Sequence, residues 1–432
     1  MFYGWVIVAV TFLTQFAVMG TVFYSFGILM KPLAAEIGGD SRLGVSLAIP
    51  LMFIVGGLVS PFVGREVDRR PIRWIMLVGA GLFVVGFLGL SRVRSLWEFY
   101  LAFGVVLALA MSLLGGLANT ALVANWFIRR RGTALGVSQV GVSISGMVMA
   151  YLTSWLVGAF GWRDTSVVFA VVPMLVLAPL ILLLVIDRPE DRGLQPDGDA
   201  ASPTPLDLAA TESELNGWTT ARALREPSLW MIALIIGLCF ASNGAVILGI
   251  YPHVTDIGYS ERQAAAVLAV MAGAAALGKP MFGWLSDHAS RRVATWLSIA
   301  LQFGGLLMIM YAPSHPALLV ASALFGVGYG GVLPLWGVLV GAIYGRRVFG
   351  RIMGLMGPLL VPFELLGIPF AAWVFDRTGS YDSAFATFLG LYALAALLVV
   401  FLRLPEVDVD LVEARAGGAS DPISASASRT AR

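Results

Sequence analysis

The sequence predicts an all-α membrane protein that crosses the bilayer twelve times. Of its 432 residues, 58% are hydrophobic and only 12% are charged, whereas an average globular chain carries roughly 25% charged residues. The apolar residues form blocks of about 20 or more, and a helix of that length spans a hydrocarbon core of about 30 Å. These blocks are continuous rather than alternating, so they favour helices, with lipid as the solvent for most of the chain.

Twelve such blocks follow one another along the chain. They lie near 5-30, 43-64, 73-91, 97-122, 133-157, 165-186, 228-252, 262-286, 292-312, 316-343, 352-375 and 382-403. We therefore divide the chain into an N-terminal six-helix half (1-186), a linker (187-226), a C-terminal six-helix half (227-404) and a tail (405-432). The composition of the linker predicts a solvated segment, and that of the tail predicts disorder.

Composition and motifs exclude several classes of protein. A net charge of +2 is too small to indicate a nucleic-acid partner. The single cysteine, Cys239, lies in an apolar block and cannot form an internal disulfide. The Gly-x-Gly-x-x-Gly pattern that begins at Gly326 lies in a membrane block with no strand before it, so we expect no nucleotide site and no cofactor. The three histidines lie at block ends or in loops, which argues against an enzyme and against a metal site.

Arginines predict the orientation of the chain. They concentrate in alternate loops, and positively charged loops stay on the cytoplasmic side. We therefore expect a multi-pass plasma-membrane protein whose termini and linker are cytoplasmic. The positions that carry this prediction are Arg65, Arg69, Arg70, Arg73, Arg129, Arg130, Arg131, Arg291, Arg292, Arg346, Arg347 and Arg351.

The two halves repeat each other. The segment "PFVGREVDRRPIR" (61-73) parallels "PMFGWLSDHASRR" (280-292), and "WFIRRRGTALG" (126-136) parallels "YGRRVFGRIMG" (344-354) at nearly the same offset. Parallel repeats of this kind place a binding site between the halves, near the middle of the membrane.

With twelve spans, a six-plus-six repeat and the loop "GREVDRRPIR", the chain resembles the major facilitator superfamily. The segments "YGWVIVAVTFLTQFAVMG", "NWFIRRRGTALGVSQVGVSISG" and "YPHVTDIGYSERQAA" are similar to its monocarboxylate transporter and oxalate-formate antiporter group. The resemblance implies a monomeric secondary transporter that works by alternating access. It also implies that a cation on the eighth helix, which is Lys279 here, holds the carboxylate of the substrate.

The resemblance has three departures, all at residues that move protons in the animal carriers. No acidic residue precedes the first Gly-Trp, Ala275 stands where the group has a carboxylate, and the first-helix lysine of the group aligns near Ile28 rather than Lys31. The proton relay of the family therefore cannot be transferred to this chain residue by residue.

Two charges lie inside apolar blocks, and we expect both to carry function. An ammonium at the depth of Lys279 costs at least about 2.5 kcal/mol; the alternative is that Lys279 snorkels to the interface. Glu364 lies near the bilayer centre, and we expect it to couple transport to protons or to pair with Lys279. The alternative is a protonated structural glutamate bonded to backbone groups freed by nearby prolines.

The remaining candidates fall into three groups. Loop charges could brace a cytoplasmic gate or act only as topology determinants: Asp68, Arg69, Arg73, Arg129, Arg130, Arg131, Asp287, Arg291 and Arg292. Polar and aromatic residues on helices 1, 4, 7 and 10 could contact substrate or serve packing: Tyr24, Asn119, Asn243, Tyr329 and Trp336. His253 could titrate during coupling or be a solvated interfacial histidine.

The function expected from these residues is secondary transport of a small, monocarboxylate-like organic anion, with the proton as a second partner. Alternatives are an anion exchanger, a carrier of a larger or neutral solute such as a vitamin or drug, and a membrane sensor that does not transport.

Overall fold

The computed structural model describes residues 2–38, 42–198 and 218–402. In these ranges, eleven helices are long and apolar enough to cross a membrane. One of them, Arg131–Leu184, is broken at Gly161 (φ 78°, ψ 168°) into α5 (131–160) and α6 (162–184). The others are α1 (Gly4–Ile37), α2 (Gly44–Arg69), α3 (Ile72–Leu90), α4 (Leu96–Trp126), α7 (Pro227–Asp256), α8 (Glu261–His288), α9 (Arg291–Met310), α10 (His315–Tyr344), α11 (Phe349–Thr378) and α12 (Asp382–Phe401).

The prediction of twelve spans in two six-helix halves is confirmed, and the helix ends differ from the prediction by a few residues. The largest difference is in α1, which continues to Ile37 rather than ending near 30. Two helices of the N-terminal half are irregular. Helix α1 contains a π-helical turn, Gly20–Tyr24, and α4 contains another, Tyr100–Leu107, followed by a break at Gly115.

The halves meet along two seams. In one, α2 packs along α11; in the other, α5 packs along α8. Glycines allow the backbones to approach closely, since a Cβ on Gly64 would overlap the carbonyl oxygen of Gly350. Gly132 and Gly283 are related in the same way, because a Cβ on either would overlap the carbonyl oxygen of the other. Small residues at helix contacts are the usual means of close packing in membranes.

The first part of the linker is mostly exposed, and it is anchored to the N-terminal half. Residues 187–198 pack on the N-terminal half, and the Asp197 side chain is only 8% exposed. Its carboxylate accepts hydrogen bonds from the backbone N–H groups of Ile128, Arg129 and Arg130 at 2.9, 2.9 and 3.1 Å. Three backbone N–H groups just before α5, which have no partner inside the helix, therefore share the Asp197 carboxylate as their acceptor. Residues 199–217 and the tail (405–432) lie outside the described residues, so the solvated linker and the disordered tail stay predictions there.

Gly161 permits the reversal between α5 and α6. Its backbone angles lie in a region that is almost restricted to glycine, and other residues cost about 1–3 kcal/mol there. We expect Gly161→Ala to lower the free energy of unfolding by this amount, measured by thermal unfolding of the purified protein in detergent. Gly158→Ala is the matched control, because that glycine is helical and a Cβ there meets open space. Equal stability of the two variants would contradict the argument.

Candidate functional site

Asp287, at the C-terminal end of α8, caps the first turn of α5 in the other half. Its Oδ1 accepts a hydrogen bond from the backbone N–H of Gly132 at 2.7 Å. Its Oδ2 accepts from the backbone N–H and the hydroxyl of Thr133, both at 2.7 Å. The first N–H groups of a helix have no partner inside the helix and carry a partial positive charge, so a carboxylate is stabilised there.

Asp68 makes the equivalent contact on the other seam. From the end of α2 it accepts hydrogen bonds from the backbone N–H groups of Gly350 and Arg351 of α11, both at 2.8 Å. The two aspartates occupy equivalent positions in the sequence repeat, and each joins its half to the other. Together they hold the halves in contact at the end of the molecule that carries the linker, which we call the linker end.

For the predicted gating arginines, the structure shows backbone contacts with the linker and one side-chain contact within a single half. Arg69 is exposed. The backbone N–H of Arg73 donates to Asp187, and those of Arg129 and Arg130 donate to Asp197. Arg291 lies near Asp287, and its guanidinium makes no hydrogen bond within the described ranges. Arg292 donates to the carbonyl oxygen of Leu402 at 2.7 Å, within its own half.

Arg131 is the buried arginine of this loop. It is 5% exposed, and its guanidinium donates to the carbonyl oxygens of Phe127 and Ala124. The same group contacts α10 of the other half, since a Cβ on Gly341 would overlap it. A second contact between the halves is the ion pair of Arg346 with Glu190 of the linker. Sequence alone does not distinguish Arg131 from its two neighbours.

Lys279 lies in the α5–α8 seam and is 4% exposed. Its ammonium donates hydrogen bonds to the carbonyl oxygen of Gln139 at 3.1 Å and to the hydroxyl of Ser143 at 2.7 Å. Both groups belong to α5 of the other half. Ser143 lies twelve residues into α5, or roughly 18 Å from its start. The ammonium is therefore near mid-membrane, and it does not snorkel to the interface.

Glu364 lies on α11, in the other seam. It lines a cavity of about 200 Å³ together with residues of α2, α4 and α10, among them Ser60, Ser112 and Trp336. No other residue lining this cavity is titratable, and in the described part of the chain the carboxyl makes no ion pair. The expected pair with Lys279 is therefore wrong for this structure, because the two residues face different seams.

The aromatic candidates border the space between the halves. Tyr24 is the last residue of the π-helical turn of α1, and its ring contacts α5 at Gly146. Tyr329 lies on α10 of the other half and is partly buried. Trp336 donates its indole N–H to the sulfur of Met356 at 3.1 Å. Of these three side chains, that of Trp336 lines the cavity between the halves that also contains Glu364.

Three candidates do not reach this space. Asn119 is fully buried within the N-terminal half and donates to the carbonyl oxygen of Leu114, five residues earlier, where Gly115 breaks α4. Asn243 accepts a hydrogen bond from the hydroxyl of Tyr392 at 2.6 Å. His253 is buried rather than solvated, with its ring 5.1 Å from that of Phe385. Asn243 and His253 contact another helix of their own half, whereas the hydrogen bond of Asn119 lies within α4, so the substrate-binding role of the two asparagines stays a prediction.

Two six-helix halves that meet along two seams define the class of polytopic membrane transporters built on an internal repeat. The sequence model of the Major Facilitator Superfamily matches residues 11–357, and matches again over 233–429. The chain belongs to the Major Facilitator Superfamily, and it is a multi-pass membrane transporter.

Curated relatives point to one group within that superfamily. The chain is 26% identical to monocarboxylate transporter 12 of Mus musculus over 351 residues, which are 76% of this chain and 71% of that protein. It is 25% identical to monocarboxylate transporter 13 of Rattus norvegicus over 390 residues, 89% of this chain and 85% of that protein. An uncharacterized MFS-type transporter of Bacillus subtilis, YcxA, is 24% identical over 420 residues, 94% of each chain.

Solved structures show the same fold. The proton:xylose symporter XylE superposes with a TM-score of 0.76 at 12% identity and covers 96% of this chain and 99% of that one. The human organic anion transporter MFSD10 superposes with a TM-score of 0.71 at 16% identity, over 92% of this chain and all of that one. At such identities the likeness establishes the fold alone.

We expect Asp287→Asn to weaken the contact between the halves at the linker end. The amide keeps the shape but loses the charge, and a charge at a helix N-terminus contributes about 0.3–2 kcal/mol. Spin labels at the exposed positions Arg65 and Ala289, in a cysteine-free background, would report a larger fraction of long inter-half distances by double electron–electron resonance. Asp256→Asn, at an exposed aspartate of the opposite end, is the control. An unchanged distance distribution in Asp287→Asn would show that the Asp287 carboxylate does not hold the halves together at this end.

Proposed function

We propose that this chain is a secondary active transporter of a small, monocarboxylate-like organic anion, coupled to a proton and working by alternating access. Its termini lie in the cytoplasm, the linker end faces the cytoplasm, and the protein works as a monomer in the plasma membrane.

The surroundings of Lys279 carry the proposal. An ammonium buried near mid-membrane has only neutral ligands, the Gln139 carbonyl and the Ser143 hydroxyl, within hydrogen-bonding distance. In the described ranges no carboxylate forms an ion pair with it. Buried cations are costly unless they are paired, so this site favours an anion that arrives from solution. A carboxylate is the group whose charge and acceptor geometry fit an ammonium donor.

The closure at the linker end supports alternating access. Asp68 and Asp287 tie the two halves together at that end, while Lys279 bridges them at mid-membrane. Opening the linker end requires both carboxylates to leave their helix N-termini. The seams would then separate, and the ammonium would lose its two ligands on α5. The positions of Asp68, Asp287 and Lys279 thus link the gate to the binding site.

Glu364 is the proposed proton acceptor. It lines the inter-half cavity without a cationic partner in the described residues, so a proton is the species that can neutralise it. His253 was the other coupling candidate, and its burial among aromatic rings makes it the weaker one. The curated relatives named monocarboxylate transporters agree with the anion and leave the coupling ion open.

The first experiment measures uptake of radiolabelled monocarboxylates into proteoliposomes. Lys279→Ala should lower carboxylate uptake by roughly ten- to a hundredfold, because a hydrogen bond to a charged group contributes about 1.5–3 kcal/mol. Lys279→Arg keeps the charge and should retain measurable uptake. Lys31→Ala, at the only other lysine and an exposed one, is the matched control. If carboxylate uptake persists in Lys279→Ala, Lys279 is not the anion site. A carrier of a neutral or larger solute then becomes the better proposal.

The second experiment separates proton coupling from anion exchange. Glu364→Gln should abolish the stimulation of uptake by an inward-acid pH gradient, because the amide cannot exchange a proton. Counterflow of labelled against unlabelled anion should persist, since that reaction needs no net proton movement. Ser112→Ala, which alters the same cavity without a titratable group, is the control. If gradient stimulation persists in Glu364→Gln, Glu364 is not the coupling site.

A further inference from the structure

We propose that the groove between α3 and α4, at the end opposite the linker, binds one anionic phospholipid. Its phosphate would lie on the guanidiniums of Arg92 and Arg94, and one acyl chain would follow the groove toward the middle of the membrane. This site is separate from the space between the halves, and it does not depend on the proposed function.

The groove has the size and lining that an acyl chain requires. It encloses about 540 Å³ between the two helices. Its lining includes two small residues, Gly89 of α3 and Ala102 of α4, and the larger apolar residues Val85, Leu101 and Val106. The Leu101 side chain is 59% exposed. A recess of this kind on the outer surface of the helices opens to the lipid rather than to the transport pathway.

The charges at the mouth of the groove fit a phosphate. Arg92 and Arg94 both line it and are exposed, and neither guanidinium makes a hydrogen bond or ion pair within the part of the chain that the structure describes. The one carboxylate present, that of Glu98, already accepts a hydrogen bond from the backbone N–H of Arg94 at 2.6 Å. Guanidinium forks match phosphate oxygens in charge and geometry. The excess of positive charge favours an anionic over a zwitterionic headgroup.

The loop that presents these arginines is held in place. The guanidinium of Arg163, at the start of α6, donates to the carbonyl oxygens of Ser91 and Val93, both at 2.8 Å. It also pairs with Glu36 at the end of α1. The backbone on both sides of Arg92 is therefore fixed before a ligand arrives, so binding has to order only the side chains.

Aromatic residues place the mouth at the depth of lipid headgroups. Trp97 is 80% exposed, and its ring lies 5.8 Å from that of Tyr100. Exposed tryptophan and tyrosine mark the membrane–water interface. Val85 lies seven residues before Arg92, or roughly 10 Å deeper along α3. The arginines at the mouth and the apolar residues deeper in the groove are thus spaced like the headgroup and the acyl chain of a phospholipid. The two arginines also lie at the end opposite the arginine-rich loops, where basic residues are otherwise sparse.

The test is native mass spectrometry of the full-length protein, purified in detergent and titrated with palmitoyl-oleoyl phosphatidylglycerol or the matching phosphatidylcholine. Wild type should retain one phosphatidylglycerol with higher affinity than phosphatidylcholine. Arg92→Ala/Arg94→Ala should weaken phosphatidylglycerol binding by more than about tenfold, since each arginine near an anionic lipid contributes several-fold. Gly89→Leu should weaken both lipids by filling the groove; a Cβ there meets only the methyl group of Ala102, at 3.7 Å.

Arg262→Ala is the matched control, because Arg262 is an exposed arginine at the same end of the molecule but on α8. It should leave phosphatidylglycerol binding unchanged. Unaltered binding in both the arginine double variant and Gly89→Leu would overturn the site. Displacement of phosphatidylglycerol by glycerol 3-phosphate at similar concentrations would also overturn it, because the site would then recognise a free anion and not a lipid.

Discussion

Two carboxylates, each capping a helix of the opposite half, hold one end of this transporter together. Asp68 and Asp287 satisfy backbone N–H groups at the first turns of α11 and α5. Because α11 packs along α2, and α5 along α8, these caps fix the relative position of both pairs of helices along their length. The register of the two seams, and with it every residue that the seams bring together, depends on these contacts.

The surroundings of Lys279 follow from that register. The same packing that places Gly132 against Gly283 brings the carbonyl oxygen of Lys279 against Gly136, and its ammonium against Gln139 and Ser143 one to two turns further along α5. Glycine at the contacts lets the backbones approach, so even a long side chain such as lysine stays within the seam. The linker adds a third tie, because Asp197 caps the residues before α5 while Glu190 pairs with Arg346 of the other half.

Sequence alone predicted the features that depend on one helix or on the repeat. Block length gave the twelve helices, depth in an apolar block singled out Lys279 and Glu364, and the repeat made Asp68 and Asp287 equivalent. It did not predict which residues meet across the seams. Ser143 looks like any small residue of α5, and Asp197 like any turn residue of a polar linker. The expected pair of Lys279 and Glu364 failed because helix packing, which no periodicity reveals, places them in different seams.

That separation has a consequence for coupling under the proposed function. When the halves close, water is excluded from both seams. An uncompensated charge in either seam is then costly, as it is elsewhere in a membrane interior. A bound anion neutralises Lys279, and a bound proton neutralises Glu364, so the loaded carrier has neither lone charge when its seams close. With only one of the two ligands bound, one uncompensated charge remains and resists closure. Anion and proton can thus be coupled without direct contact, because the same rigid-body motion closes both seams.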